Sequence, residues 1–177
     1  MQHVTIKIFA AKAENLNLAE AIPVFHRWIQ NRALPELLID VADYSHVPAG
    51  PGVLLIAYEA NYSLDNGRNR RGLLYNRKAA DGGGADQSLR QAYEAALSAC
   101  ELLEHEPEFH DKLQFDRGDV ELILNDRLAH PNTDEQSQSI QSDVTKFFDT
   151  TFGQGTYTME RRSDPRERLS VRVRKSC

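Results

Sequence analysis

The sequence predicts an α+β fold: a mostly antiparallel sheet with helices on one face. Three observations carry this. Short segments with alternating or continuous apolar residues recur along the chain and are bounded by turn residues. Three longer segments place apolar residues at helical spacing instead. The strands come in consecutive groups joined by short turns rather than alternating one for one with helices, which favours hairpins over a parallel sheet.

Val4, Ile6 and Ile8 alternate with Thr5 and Lys7, which predicts a first strand. Ile22, Phe25, Trp28 and Ile29 predict a helix over about 18–31, with Pro23 confined to its first turn because an interior proline removes a backbone donor. LLIDVADY, Leu37 to Tyr44, reads as a second strand. Gly52 to Leu64 reads as a single third strand, central and covered on both faces because it is almost continuously apolar. Asp65-Asn66-Gly67 signals a turn, and Gly72 to Lys78 returns as a fourth strand.

Asp81 to Asp86, DGGGAD, predicts a flexible linker, with Asp86 capping the next helix. That helix spans about 86–104 and buries Leu89, Tyr93, Ala96, Cys100 and Leu103; Pro107 lies beyond its end. Asp119 to Asp126 is a fifth strand. Thr133 and Gln136 have the spacing of a capping box, ahead of a helix with Ile140, Val144, Phe147, Phe148 and Phe152 on one side. A hairpin, GTYTMERR and ERLSVRVRK around SDPRE, closes the chain.

This order suggests one domain over 1–177 with pseudo-repeats at 1–80 and 118–177. It is compatible with two ferredoxin-like βαββ units joined by the central helix. A chain of 177 residues is long enough for a sizeable core, and 41% apolar with 27% charged residues is near the average for globular proteins. A net charge of −5 argues against a general nucleic-acid binder. No apolar run is long enough for a membrane span, and the N-terminus lacks the basic and apolar regions of a signal peptide. Two cysteines without a CxxC predict no disulfide framework and a cytoplasmic setting.

Ser45 to Gly52, SHVPAGPG, predicts a rigid corner. Gly50 and Gly52 permit close backbone approach, so its edge is also a candidate ligand contact. Within it His46 is a candidate general acid or base, to be paired with Glu59 in the third strand. Arg77 and Arg127 are candidates for holding an anionic small molecule, the latter near a helix N-terminus. His105, Glu106, Glu108 and His110 form HEPEFH, but Pro107 breaks the helix that would align them, so no metal or other cofactor is predicted. The segment from Thr156 carries six arginines and Lys175 against three carboxylates, a net +4, leaving −9 for the remainder. Alternation of Leu169, Val171 and Val173 sets Arg172 and Arg174 on one face, as candidates for contacting an acidic protein surface or a second copy of the chain. The expected function is a self-associating binding or assembly module, a homodimer in the simplest case. The competing expectation is a small-molecule enzyme using His46 and Glu59.

Overall fold

The computed structural model describes residues 3–13, 16–78 and 84–176. Eight strands and three α-helices follow one another as β1 (Val4–Lys12), α1 (Ala21–Asn31), β2 (Leu38–Tyr44), β3 (Gly52–Ala57), β4 (Ala60–Asp65), β5 (Gly72–Arg77), α2 (Ala85–His105), β6 (Gln114–Leu124), α3 (Asp134–Phe152), β7 (Tyr157–Arg161) and β8 (Ser170–Lys175). A single 3-10 turn, Leu18–Glu20, leads into α1, and Asn17 caps it by accepting from the Ala19 N–H. Thr133 caps α3 by accepting from the Gln136 N–H. Pro23 sits in the first turn of α1, where its missing N–H is harmless.

All strands belong to one antiparallel sheet of order β2-β3-β4-β5-β1-β6-β8-β7. β1 therefore lies inside the sheet, between β5 and β6, although it is the first strand of the chain. The first strands of the two strand–helix–hairpin segments, β1 and β6, pair with each other there, and the first segment adds the β2–β3 hairpin at one edge.

The two faces of the sheet differ in chemistry. Val4, Ile6, Ile8, Val53, Leu55, Tyr62, Leu64, Leu73, Tyr75, Val120, Leu122, Val171 and Val173 join Phe25 and Trp28 of α1, Leu89, Cys100 and Leu103 of α2, and Val144, Phe147 and Phe148 of α3 in one core cluster. All three helices therefore cover the same face, the arrangement expected from the sequence. The buried stripe of α2 is also as expected. Outside this core, Glu106 and Glu108 clamp Arg27 of α1, and Glu106 accepts from the Trp28 indole at 2.5 Å, tying the exit of α2 to α1. The opposite face carries Thr5, Lys7, Ser63, Asp65, Glu121 and Ser170, all buried although polar.

Three expectations are corrected. Gly52 to Leu64 is a hairpin, β3 and β4, turning at Tyr58 and Glu59. The turn is hidden in the sequence because both strands bury residues against the helices, so apolar character runs almost unbroken through it. The strand expected at 119–126 begins at Gln114. Asp86 does not cap α2; Gly84 holds that position, and Asp86 lies in the first turn, 3.4 Å from Arg90. The linker expected at 81–86 lies, up to residue 83, outside the described residues, as does Cys177. Among the described residues no helix is long and apolar enough to cross a membrane.

Candidate functional site

Strand alternation sends Thr5, Lys7 and Phe9 to the face without helices. Lys7 is opposed by Leu74 of β5 and Glu121 of β6, and Phe9 by Gly72. Gly72 in turn opposes Asp65 of β4. The missing side chain at Gly72 leaves a channel over β5, through which the Lys7 ammonium reaches the Asp65 carboxylate two strands away. A Cβ on Gly72 would stand 3.0 Å from Lys7 Cε and 2.5 Å from the Ile8 carbonyl oxygen. Lys7 also donates to the Arg70 carbonyl at 2.6 Å, and Asp65 accepts from the Gly67 N–H at 3.0 Å. Burial lowers the Lys7 pKa from its ordinary value, while Asp65 pulls in the opposite direction.

Arginines close over this pair from two connections. From the β4–β5 connection, Arg68 reaches Glu121 at 3.1 Å and Glu167 at 2.8 Å, and Arg70 reaches Asp119 at 3.2 Å. From the β7–β8 connection, Arg162 reaches Glu121 at 3.2 Å. Arg172 of β8 holds Asp119 through two nitrogens, its Nε at 2.7 Å. The Phe9 ring carries Arg70 at 4.0 Å, Arg172 at 4.9 Å and the Lys7 ammonium at 5.2 Å from its centre, cation–π contacts that help gather these charges. Asn132 anchors the β7–β8 connection by donating to the Arg162 and Asp164 carbonyls, both at 2.8 Å.

The result is a cleft of about 190 Å³ bordered by Lys7, Arg68, Arg70, Arg162 and Arg168 against Asp65 and Glu121. Arg168 differs from the others: it donates to the Asn125 side-chain oxygen and has no carboxylate partner among the described residues. Asn125 donates onward to Thr5 Oγ1 and Asn76 Oδ1, each at 2.6 Å. Arg168 and Asn125 also border a second cleft of about 450 Å³ with His3, Arg77 and Lys78. The two clefts follow β1 across the open face and meet at Arg168. Nearby, the buried Ser170 hydroxyl makes no hydrogen bond among the described residues. Such a surface can attract and orient an anion. Among the described residues no group of three or more His, Cys, Asp and Glu side chains is placed to hold a metal.

The residues singled out from sequence scatter around this centre. Gly50 and Gly52 form the corner expected of them: Gly52 has φ +67° and packs so closely on Leu64 that a Cβ would lie 2.0 Å from its carbonyl oxygen. The Gly50 carbonyl accepts from the Asn66 N–H at 3.2 Å, and Ala49 from the same loop borders the cleft. His46 is exposed in the β2–β3 turn, whereas Glu59 is exposed in the β3–β4 turn. The length of β3, about 20 Å for six residues, separates the two, so the structure does not bring this pair together. Glu59 and Arg77 do border one cavity, on the other face. Arg127 is exposed in the connection after β6. Arg172 is engaged with Asp119, and Arg174 lies 3.3 Å from Glu160.

Lys7, Asp65, Glu121 and Arg168 were missed. In sequence Lys7 is an ordinary polar position of an alternating strand, and only the strand order makes it interior. The chain matches no protein-family model, and no curated protein matches it.

Proposed function

We propose that the chain is a binding module whose open sheet face takes a small anionic ligand. The observation that carries this is Arg168, a guanidinium without a carboxylate partner among the described residues, set where two clefts rich in cations meet. Five cationic groups against two carboxylates line the first cleft of a chain whose net charge is −5. Concentrating positive charge locally against the global balance favours anion capture. Arg168 presents a planar fork suited to phosphate or carboxylate. Titration calorimetry with inorganic pyrophosphate tests this reading. Saturable binding, weakened about tenfold or more in Arg168→Gln and by added salt, is the expected result. No saturable binding, or affinity unchanged in Arg168→Gln, sinks it.

Self-association has its own supporting observation, at a different place from the C-terminal hairpin. Of the six exposed large apolar residues among the described residues, Leu37, Ile39, Tyr44, Val47 and Tyr58 cluster on and around the β2–β3 hairpin, and β2 is an edge strand. An antiparallel pairing of two copies through β2 is self-complementary about a two-fold axis and would continue the sheet. Light scattering on Ile39→Lys is the test: a dimer that becomes monomeric supports the contact, and an unchanged mass rejects it.

A further inference from the structure

A cavity of about 670 Å³ lies on the helix-covered side of the sheet, at the end remote from the Arg68 connection. It is walled by the α1–β2 connection, the β3–β4 turn and the middle of α2. The Tyr58 N–H donates to the Leu37 carbonyl at 2.9 Å and holds the first two walls together. Its volume falls in the range of small-molecule sites.

Two features of its lining are unusual together. The first is an unmet demand for hydrogen bonds. Tyr62 is fully buried, yet its hydroxyl makes no hydrogen bond among the described residues, and neither does Oε2 of Glu36 beside it. The two groups are close enough for the Glu36 carboxylate to add to burial in pushing the Tyr62 phenol well up, but no hydrogen bond of ordinary geometry joins them. Leaving such groups unsatisfied is costly, so native structures seldom do so without a reason. The second feature is the company they keep. Glu36, Glu59 and Glu94 face the cavity against the single guanidinium of Arg77, which donates to Gln91 at 2.5 Å. Tyr58, Tyr62 and Tyr75 supply aromatic wall, the latter two in edge contact at 5.0 Å between ring centres.

Excess carboxylate repels an anion, and an uncharged apolar ligand leaves both orphaned oxygens unmet. A protonated amine answers both features. Its N–H groups donate to Glu36 Oε2 and to the Tyr62 hydroxyl oxygen, its charge is balanced by the carboxylates, and its hydrocarbon body lies against tyrosine rings and Leu34, with cation–π attraction as a supplement. We infer that this cavity is a binding site for an organic ammonium ion with an apolar body. The site is separate from the open-face clefts, shares with them only the bordering Arg77, and takes a ligand of opposite charge, so either site can fail without the other.

The experiment compares phenethylammonium chloride with its neutral isostere 2-phenylethanol, by calorimetry and by the shifts of tyrosine ring resonances. Saturable binding of the amine, with the alcohol weaker by about tenfold or more, is expected from one lost charge-assisted contact. Glu36→Gln preserves shape and should cost the amine about tenfold while leaving the alcohol unchanged. Tyr62→Phe removes the orphaned hydroxyl and should weaken the amine several-fold; both variants are first checked for a wild-type circular dichroism spectrum. Inorganic phosphate should not compete. Equal affinity for amine and alcohol, no saturable binding of the amine up to millimolar concentration, or amine binding indifferent to both substitutions overturns the inference.

Discussion

Lys7 reaches Asp65 across an intervening strand, and Gly72 is the residue that lets it pass. The pair is nearly inaccessible to solvent, with side-chain exposures of 4% and 9%. Removing one partner leaves the other charged and buried. Lys7→Met should therefore lower stability by about 3–5 kcal/mol, and Lys7→Met with Asp65→Leu should recover much of that loss. Urea unfolding of the three proteins checks it. A double variant no more stable than Lys7→Met would show that the two residues are not energetically coupled.

The channel itself makes a second prediction. Gly72→Ala drives a methyl group toward the Ile8 carbonyl and the Lys7 stem, and overpacking of this kind costs about 1–3 kcal/mol. Gly52→Ala meets both a backbone oxygen and a positive φ and should be the worse of the two. Thermal melts of both rank them.

Substituting Arg172 and Arg174 separates stability from association. Arg172→Glu sets a third carboxylate beside Asp119 and Glu121, and should destabilise the protein by about 1–3 kcal/mol as Asp119 loses its main partner. Arg174→Glu alters an exposed pair and should change stability by less than about 0.5 kcal/mol. Neither should change the oligomeric mass, since both arginines are paired within the chain. A mass change on light scattering would return the C-terminal hairpin to the role expected from its charge.

Alkaline pH should weaken the fold. The phenols of Tyr75, Tyr93 and Tyr157 are pushed up to about 12, each chiefly by burial, and for Tyr157 also by donation to Asp149. Above about pH 10 an unfolded tyrosine begins to lose its proton while these keep theirs. Their contribution is thus complete below about pH 10 and is lost as pH rises through about 12. Lys7 acts in the opposite sense: its pKa is lowered, so the cost of burying its charge fades as pH approaches the ordinary lysine value. The lysine effect is complete at that value while the tyrosine effect continues to about 12, so denaturant midpoints should fall above about pH 10 together with delayed phenolate absorbance. A midpoint level to about pH 12 would contradict this.

Thr133→Ala removes the cap of α3 and should cost about 1 kcal/mol, read from the same unfolding curves.

Local chemistry was legible in the sequence wherever one element sufficed to express it. The stripe from Leu89 to Leu103, the Thr133 cap and the corner at Gly50 and Gly52 each depend on neighbours a few positions away. The turn at Tyr58 and Glu59 was not legible, since neither residue is a turn former and the apolar pattern continues on both sides. The charged centre was illegible for a different reason. Lys7, Asp65, Glu121 and Arg168 belong to four separate segments, and only the order in which β4, β5, β1, β6 and β8 lie side by side makes them neighbours. Glu36 and Tyr62 pose the same difficulty, because what singles them out is a missing partner.

The core position of Cys100 gives the molecule an internal clock. Its side chain is fully buried in α2, and burial pushes its thiol up, so it is doubly shielded from alkylation while the fold is closed. With Cys177 replaced by serine, the rate at which this one thiol is trapped by a reagent in native buffer would time how often α2 lifts from the sheet.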